Sequence, residues 1–367
     1  MATEENPKQI AENLKQTAQE SRADIQENEI LSRSPHLLRA LLCDHTLTDA
    51  NLCDKQKKLR RKPTADERET LQVNIFWATH NYSERGEGYG YADQITLEAI
   101  TGDNGNVIVP RSLKSRQQQQ QRSREMAEVF TPSWICNKQN NLIDTEWFGR
   151  ENVFNTETDR PDGSHDWLPT VGNILFPEGK SWMDYVTECR LEITCGEAPY
   201  LVSRYDTVTG EMLPVERRIG LLDRKLRVVG ENTEDPTDWL TWALRAFQAT
   251  YGYEWQGDNL ILARENLLYT FIDHYQDKFG CEPSEESLEE VANVISWNLV
   301  QMDGLKFVVP NTCFERKVTV ADLFGVTEQI EVCEGCKNSD PKRHNGTYVQ
   351  LMDWETGKKI RFIDLIK

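Results

Sequence analysis

Leu191-Glu192-Ile193-Thr194-Cys195-Gly196-Glu197-Ala198-Pro199-Tyr200-Leu201 is the stretch on which the reading of this chain turns. The pattern predicts a strand, a tight turn at Gly196, and a helix beginning near Leu201 and running to Tyr205. A glycine at such a turn lets the backbone approach a ligand, because no Cβ opposes a positive φ. The free N–H groups at a helix N-terminus suit polar or anionic ligand atoms. In open α/β sheets, ligands bind at the carboxyl ends of the strands, where such a turn would lie.

Three other segments flank this one in order. Upstream is Ala127-Glu128-Val129-Phe130-Thr131-Pro132. Downstream is Tyr251-Gly252-Tyr253-Glu254, followed by the helical run Asn259-Leu260-Ile261-Leu262-Ala263-Arg264-Glu265-Asn266-Leu267-Leu268. Last comes Ile295-Ser296-Trp297-Asn298-Leu299-Val300-Gln301-Met302-Asp303-Gly304-Leu305. Together they resemble the S-adenosylmethionine (SAM) motifs of N6-adenine DNA methyltransferases. That family carries Phe-Thr-Pro, then Asp-Pro-Ala-Cys-Gly-Ser/Thr-Gly-x-Phe-Leu. A Tyr-Gly-x-Asp/Glu strand end with an Ala-Arg-x-Asn-Leu helix follows, and then Asn-Ile-x-x-x-Asp-x-Leu. In this chain Glu192 takes the place of the first Asp, Ile193 that of the Pro, and Ala198 that of the second Gly.

The resemblance implies a Rossmann-like α/β fold of the SAM-dependent methyltransferase type, incomplete at its C-terminus. It implies SAM as cofactor, held by Phe130, Thr131, Pro132, Glu192, Cys195, Gly196, Glu254, Asp303 and Leu305. Phe130-Thr131-Pro132 would lie beside the methionine part and Glu254 would accept the ribose hydroxyls. Asp303 would accept from the adenine amino group and Leu305 would pack on the ring. The family then has Asn/Asp-Pro-Pro-Tyr/Phe, which grips the flipped adenine. That tetrapeptide does not occur in this sequence, which stops at Phe362-Ile363-Asp364-Leu365-Ile366-Lys367, just where the tetrapeptide would begin. No catalytic residue is therefore assigned. The expected function is the SAM-binding part of an adenine-specific DNA methyltransferase of a restriction-modification system, acting on DNA with a second subunit that supplies the catalytic half. The alternatives are an inactive methyltransferase-fold scaffold or regulator, and a Mg²⁺-dependent nuclease built on Asp162, Glu178 and Lys180, which fit the degenerate Pro-Asp…Glu-x-Lys pattern.

Composition sets wider bounds. A chain of 367 residues is long enough for a sizeable core. A net charge of −18 argues against indiscriminate nucleic-acid binding, which needs clustered Lys and Arg. Local basic runs remain at 55–62 and 111–124, each read either as a phosphate-contacting arm or as a solvated face. No apolar run approaches the about 18 residues of a membrane span. Nine cysteines without a secretory signal point to a reducing cytoplasm. The expected organisation is a mostly helical interaction region over 1–105 and a SAM-binding domain over 106–367, with insertions at 145–185, 207–240 and 310–350. Cys333-x-x-Cys336 suits half of a tetrahedral zinc site, with Cys313 and His344 the nearby candidates for the rest, and no metal ligand is assigned from sequence.

Overall fold

Parallel strands cannot be joined by a tight hairpin, so a chain that makes them must place long crossovers between them. The computed structural model describes residues 27–62, 64, 67–68, 70–125, 128–129, 131–322 and 325–366, a mixed α/β molecule built on this rule. Three short strands, β3 (Arg190–Glu192), β4 (Thr250–Glu254) and β5 (Leu299–Gln301), form a parallel sheet in the order β3-β4-β5. The register sets Arg190 beside Thr250 and Gly252 beside Leu299. Helices α7 (Leu221–Asn232) and α8 (Pro236–Gln248) cross from β3 to β4, and α9 (Gly257–Phe279) and α10 (Glu285–Asn298) cross from β4 to β5.

The earlier elements are α1 (Glu27–Arg33), α2 (Pro35–Leu42), α3 (His45–Leu59), α4 (Arg116–Glu125), α5 (Ser133–Phe148), the hairpin β1 (Asn155–Asp159) and β2 (His165–Pro169), and α6 (Trp182–Thr187). After the sheet come the hairpin β6 (Arg316–Asp322) and β7 (Gly325–Glu331), the short α11 (Glu334–Asn338), and the hairpin β8 (Gln350–Asp353) and β9 (Lys358–Arg361). Local chemistry explains the helix starts. Asp235 accepts from the N–H groups of Thr237 and Asp238 ahead of Pro236, and Ser284 accepts from Ser287. The central helix α9 is buried almost all round, as expected of a helix enclosed by others, and ends at Gly280 with φ +68°.

Several sequence expectations are corrected. Ile219–Asp223, read as strand-like, is the entry to helix α7, whose Leu221, Leu222, Leu226 and Val229 recur on one buried face. Residues 207–240 are thus largely crossover and core rather than an insertion. Residues 145–185 hold the end of α5, an ordered hairpin and most of α6. The predicted helix through Leu201 to Tyr205 is a run of turns instead, because Thr194, Gly196 and Ala198 all have positive φ and Pro199 lacks an N–H.

The N-terminal region joins the same core rather than standing apart. Leu37, Leu38, Leu41 and Leu42, read as a docking face, are buried against α10. The Gln301 side chain bonds both the N–H and the carbonyl of Phe76, at 2.8 Å each, and Gly257 N–H donates to the Trp77 carbonyl. Helix α7 is fastened to the sheet by buried Lys225, which donates to the carbonyls of Glu188 at 2.6 Å and Ala249 at 3.0 Å, just before β3 and β4. Burial, with the nearby Arg190 charge, pushes the Lys225 ammonium down to about 7. An unfolded lysine holds its proton to about pH 10.4, so between these values the unfolded chain binds more protons and stability rises with pH. Urea unfolding at pH 6 and pH 9 is expected to show about 2.7 kcal/mol of this gain in the wild type, absent from Lys225→Met. An equal gain in the variant would assign the effect to other groups.

Candidate active site at the strand ends

The β3–turn–β4 junction is tied together through its two terminal carboxylates. Glu192 accepts from the N–H groups of Tyr200 at 3.4 Å and Leu201 at 3.1 Å, folding the turns back onto β3. Glu254 accepts from Gly196 N–H at 2.9 Å through one oxygen and from Gln256 N–H at 3.1 Å through the other. Cys195 N–H donates to the Tyr253 carbonyl at 2.9 Å, carrying the strand pairing one step past β3. Gly252 lies against Cys195 and Leu299, and a Cβ there would stand in ordinary contact with both, at 3.4–3.5 Å. Burial raises the carboxyl pKa of both Glu192 and Glu254, and the backbone donors oppose it.

These residues open onto a cavity of 780 Å³ at the carboxyl ends of β3 and β4. Thr131, Glu192, Cys195, Gly196 and Glu254, five of the nine residues expected at a cofactor, line it. Pro132 follows Thr131 directly as the residue preceding α5, and Phe130 lies outside the described residues. Tyr200, which stands at the Phe of the glycine motif, also lines the cavity, and residues the sequence reading missed complete the wall: Arg124, Glu128, and Trp255, Gln256 and Asn259 at the entry to α9. The last three directly follow or lie near Glu254, so their adjacency to the Tyr-Gly-x-Glu motif was an available signal.

The far wall is fixed by a buried ionic cluster. Arg122 contacts Glu128 at 2.6 Å and Asp258 at 2.8 Å, and donates to the side-chain oxygens of Gln256 and Asn259. Tyr82 donates its hydroxyl to Asp258, and Lys114 lies 3.9 Å from the same carboxylate. The Arg122 and Lys114 charges hold the Asp258 carboxyl below its usual range against the burial that would raise it. Arg122 is therefore neither the phosphate-contacting arm nor the solvated helix position that the sequence offered as alternatives; the other residues of its helix are mostly exposed.

No protein-family model matches the chain, and neither the curated proteins nor the solved structures compared with it contain a match.

Two of the expected cofactor residues stand elsewhere. Asp303 lines a neighbouring cleft of 400 Å³ that shares Trp255 with the larger cavity. One of its oxygens accepts from Leu305 N–H at 3.0 Å and Lys306 N–H at 3.1 Å, and the other faces the Lys306 ammonium at 3.3 Å. Leu305 is 87% exposed and lines neither space. The reason is the chain reversal after β5, which turns at Asp303–Phe307 and carries Leu305 outward. The nuclease residues are not drawn together either. Asp162 is spent on the N–H and hydroxyl of Ser164 in the β1–β2 turn, and Lys180 donates to the Trp147 carbonyl and lies 4.2 Å from its ring centroid. Among the described residues, neither Asp162 nor Glu178 belongs to a gathered group of metal-ligating side chains.

Proposed function

We propose that this chain is the SAM-binding part of an N6-adenine DNA methyltransferase of a restriction-modification system, with a Rossmann-like sheet. The observation that carries the reading is that Thr131, Glu192, Cys195, Gly196 and Glu254, scattered over more than a hundred residues, line one cavity at the carboxyl ends of parallel strands. Its volume lies within the about 300–1,000 Å³ usual for small-molecule sites. A second observation supports it: Ala198, at the family's second glycine, has φ +61°, the left-handed conformation for which glycine is the natural residue.

The cavity's donor set fits the ligand. SAM carries a sulfonium, an ammonium and a carboxylate, and Glu128, Glu192 and Glu254 line the space together with Arg124. A carboxylate offers about four acceptor sites, and Glu254 uses two on Gly196 and Gln256, which leaves acceptor capacity for ribose hydroxyls. When bound, SAM supplies an electrophilic methyl group. The chain's residues hold and orient it and form the walls that limit water. Gripping the adenine is assigned to a polypeptide outside these 367 residues, since no Asn-Pro-Pro-Tyr occurs within them. The sheet has room for such a partner, because among the described residues β3 pairs on one side only and Leu191 and Ile193 are 47% and 62% exposed.

Calorimetry with SAM is expected to give micromolar or weaker binding, and Glu254→Gln to weaken it about ten- to a hundredfold, the equivalent of losing hydrogen bonds to a charged acceptor. Absence of heat at millimolar SAM, or an unchanged affinity in Glu254→Gln, would sink the reading. One observation favours the second reading, an inactive scaffold: both oxygens of Asp303 are engaged locally rather than open to a base. A scaffold of that kind would bind no SAM, so the same titration separates the two.

A further inference from the structure

The excursion between β5 and β8 brings four side chains to one point. Cys313 lies just before β6, Cys333 just after β7, Cys336 within α11, and His344 beyond it. Their three sulfurs and one ring nitrogen all lie within 4.8 Å of one another. The Nδ1 atom of His344 is 3.6 Å from Cys313 Sγ, 3.5 Å from Cys333 Sγ and 3.6 Å from Cys336 Sγ.

Hydrogen bonding does not account for this arrangement. A ring nitrogen has one lone pair or one proton, so it serves one thiol and not three at equal distance. Tetrahedral coordination does. With Zn–S of about 2.3 Å and Zn–N of about 2.0–2.1 Å, the sulfur–nitrogen edge of a tetrahedron is about 3.5–3.6 Å. All three observed edges match it.

We propose that Cys313, Cys333, Cys336 and His344 bind one Zn²⁺ through three Sγ atoms and Nδ1. The surroundings are built for it. Asn345 N–H donates to Cys333 Sγ at 3.3 Å, as to a thiolate. Gly335, inside the Cys-x-x-Cys turn, has no room for a side chain, since a Cβ would lie 2.7 Å from His344 atoms. A Cβ on Gly346 would lie 2.9 Å from Cys313 Sγ. The backbone N–H of His344 donates to the Tyr348 hydroxyl, which donates in turn to the Pro341 carbonyl, both at 2.9 Å. Binding displaces the thiol protons, so Zn²⁺ with three thiolates and a neutral imidazole carries a charge of −1. Lys306, a cation, lines the same cleft as Cys313, Cys333 and Cys336.

Four protein ligands leave no open position, so the ion is structural. It clamps the base of the β6–β7 hairpin and fixes a wall of the Asp303 cleft, which Cys313, Cys333 and Cys336 line. Lys306, paired with Asp303 at 3.3 Å, lines this cleft as well. The site does not depend on SAM binding and stands or falls by itself.

The test is zinc analysis of the full chain purified in reductant and metal-free buffer, given one equivalent of Zn²⁺ against a chromophoric chelator. One tightly held zinc per chain is expected, with an X-ray absorption shell of three sulfurs at about 2.3 Å and one nitrogen at about 2.0–2.1 Å. Cys336→Ser should weaken zinc binding by more than the about ten- to hundredfold cost of losing an outer-shell partner, while exposed Cys53→Ser leaves it unchanged. The absorption measurement uses wild-type protein, so it holds even where Cys336→Ser fails to fold. Zinc left to the chelator while the thiols are reduced, or a shell without sulfur, would overturn the assignment.

Discussion

Arg122→Met is expected to destabilise the protein by about 3–5 kcal/mol, the usual cost of removing one partner from a buried ion cluster. The variant leaves Glu128 and Asp258 buried, with the Tyr82 hydroxyl and Asn259 as hydrogen-bond donors, Arg111 3.4 Å from Glu128 and Lys114 no closer than 3.9 Å to Asp258. Asp258 is fully buried and loses its close cation, and Glu128 loses the nearer of its two arginines, so much of what compensates their desolvation goes. The damage falls on the cavity wall, because Arg122 is what fastens α4 and Glu128 to the start of α9. Urea unfolding measures the loss, with the midpoint falling at constant slope. Arg122→Lys keeps a charge but not the forked donor geometry and is expected to fall between the two. A change below about 1 kcal/mol in Arg122→Met would mean that Lys114 moves in to replace it.

Arg264→Met is expected to cost a similar about 3–5 kcal/mol, by a different route. Arg264 is fully buried on α9, and its guanidinium donates to four carbonyls: Leu41, Cys43, Ser296 and Leu299. These belong to the end of α2, the residue after it, the last turn of α10 and the first residue of β5. Helix ends leave carbonyls without intrahelical partners, and one cation satisfies those of two helices. Methionine fills most of the volume and strands them, at about 1–3 kcal/mol for each buried acceptor left unpaired. Urea unfolding by circular dichroism, matched to the wild type, tests this. A stable Arg264→Met would show that water enters to take over the acceptors.

What the sequence disclosed was local and ordered. The Asp235-Pro236 helix start, the leucine face of 37–42 and the glutamate at the end of Tyr251–Glu254 are each written in neighbouring residues, and the structure has them. What it hid depends on distance or on backbone conformation. Nothing near Arg122 announces Asp258, more than a hundred residues away. The helix expected after Gly196 fails because three of five residues take positive φ, which identity at Thr194 and Ala198 does not foretell. Asp303 sits at a strand end as the resemblance requires, yet the tight reversal that follows spends its oxygens on the next backbone. The cysteine pair was visible as half a site, with Cys313 and His344 as candidates for the rest; that all four meet at one point depends on the hairpin that folds Cys313 back.

The Arg264 joint and the Gln301–Phe76 pairing also bear on how such a molecule can be inherited. Residues before 105 supply backbone acceptors to Arg264 and both a backbone donor and an acceptor to the Gln301 side chain. A recombination event that exchanged the front of the gene for an unrelated module would strip a buried cation of half its acceptors and leave the Gln301 side chain without its Phe76 partner. Because these partners are backbone groups, the joint tolerates new side chains in the front segment but not a new path of its chain.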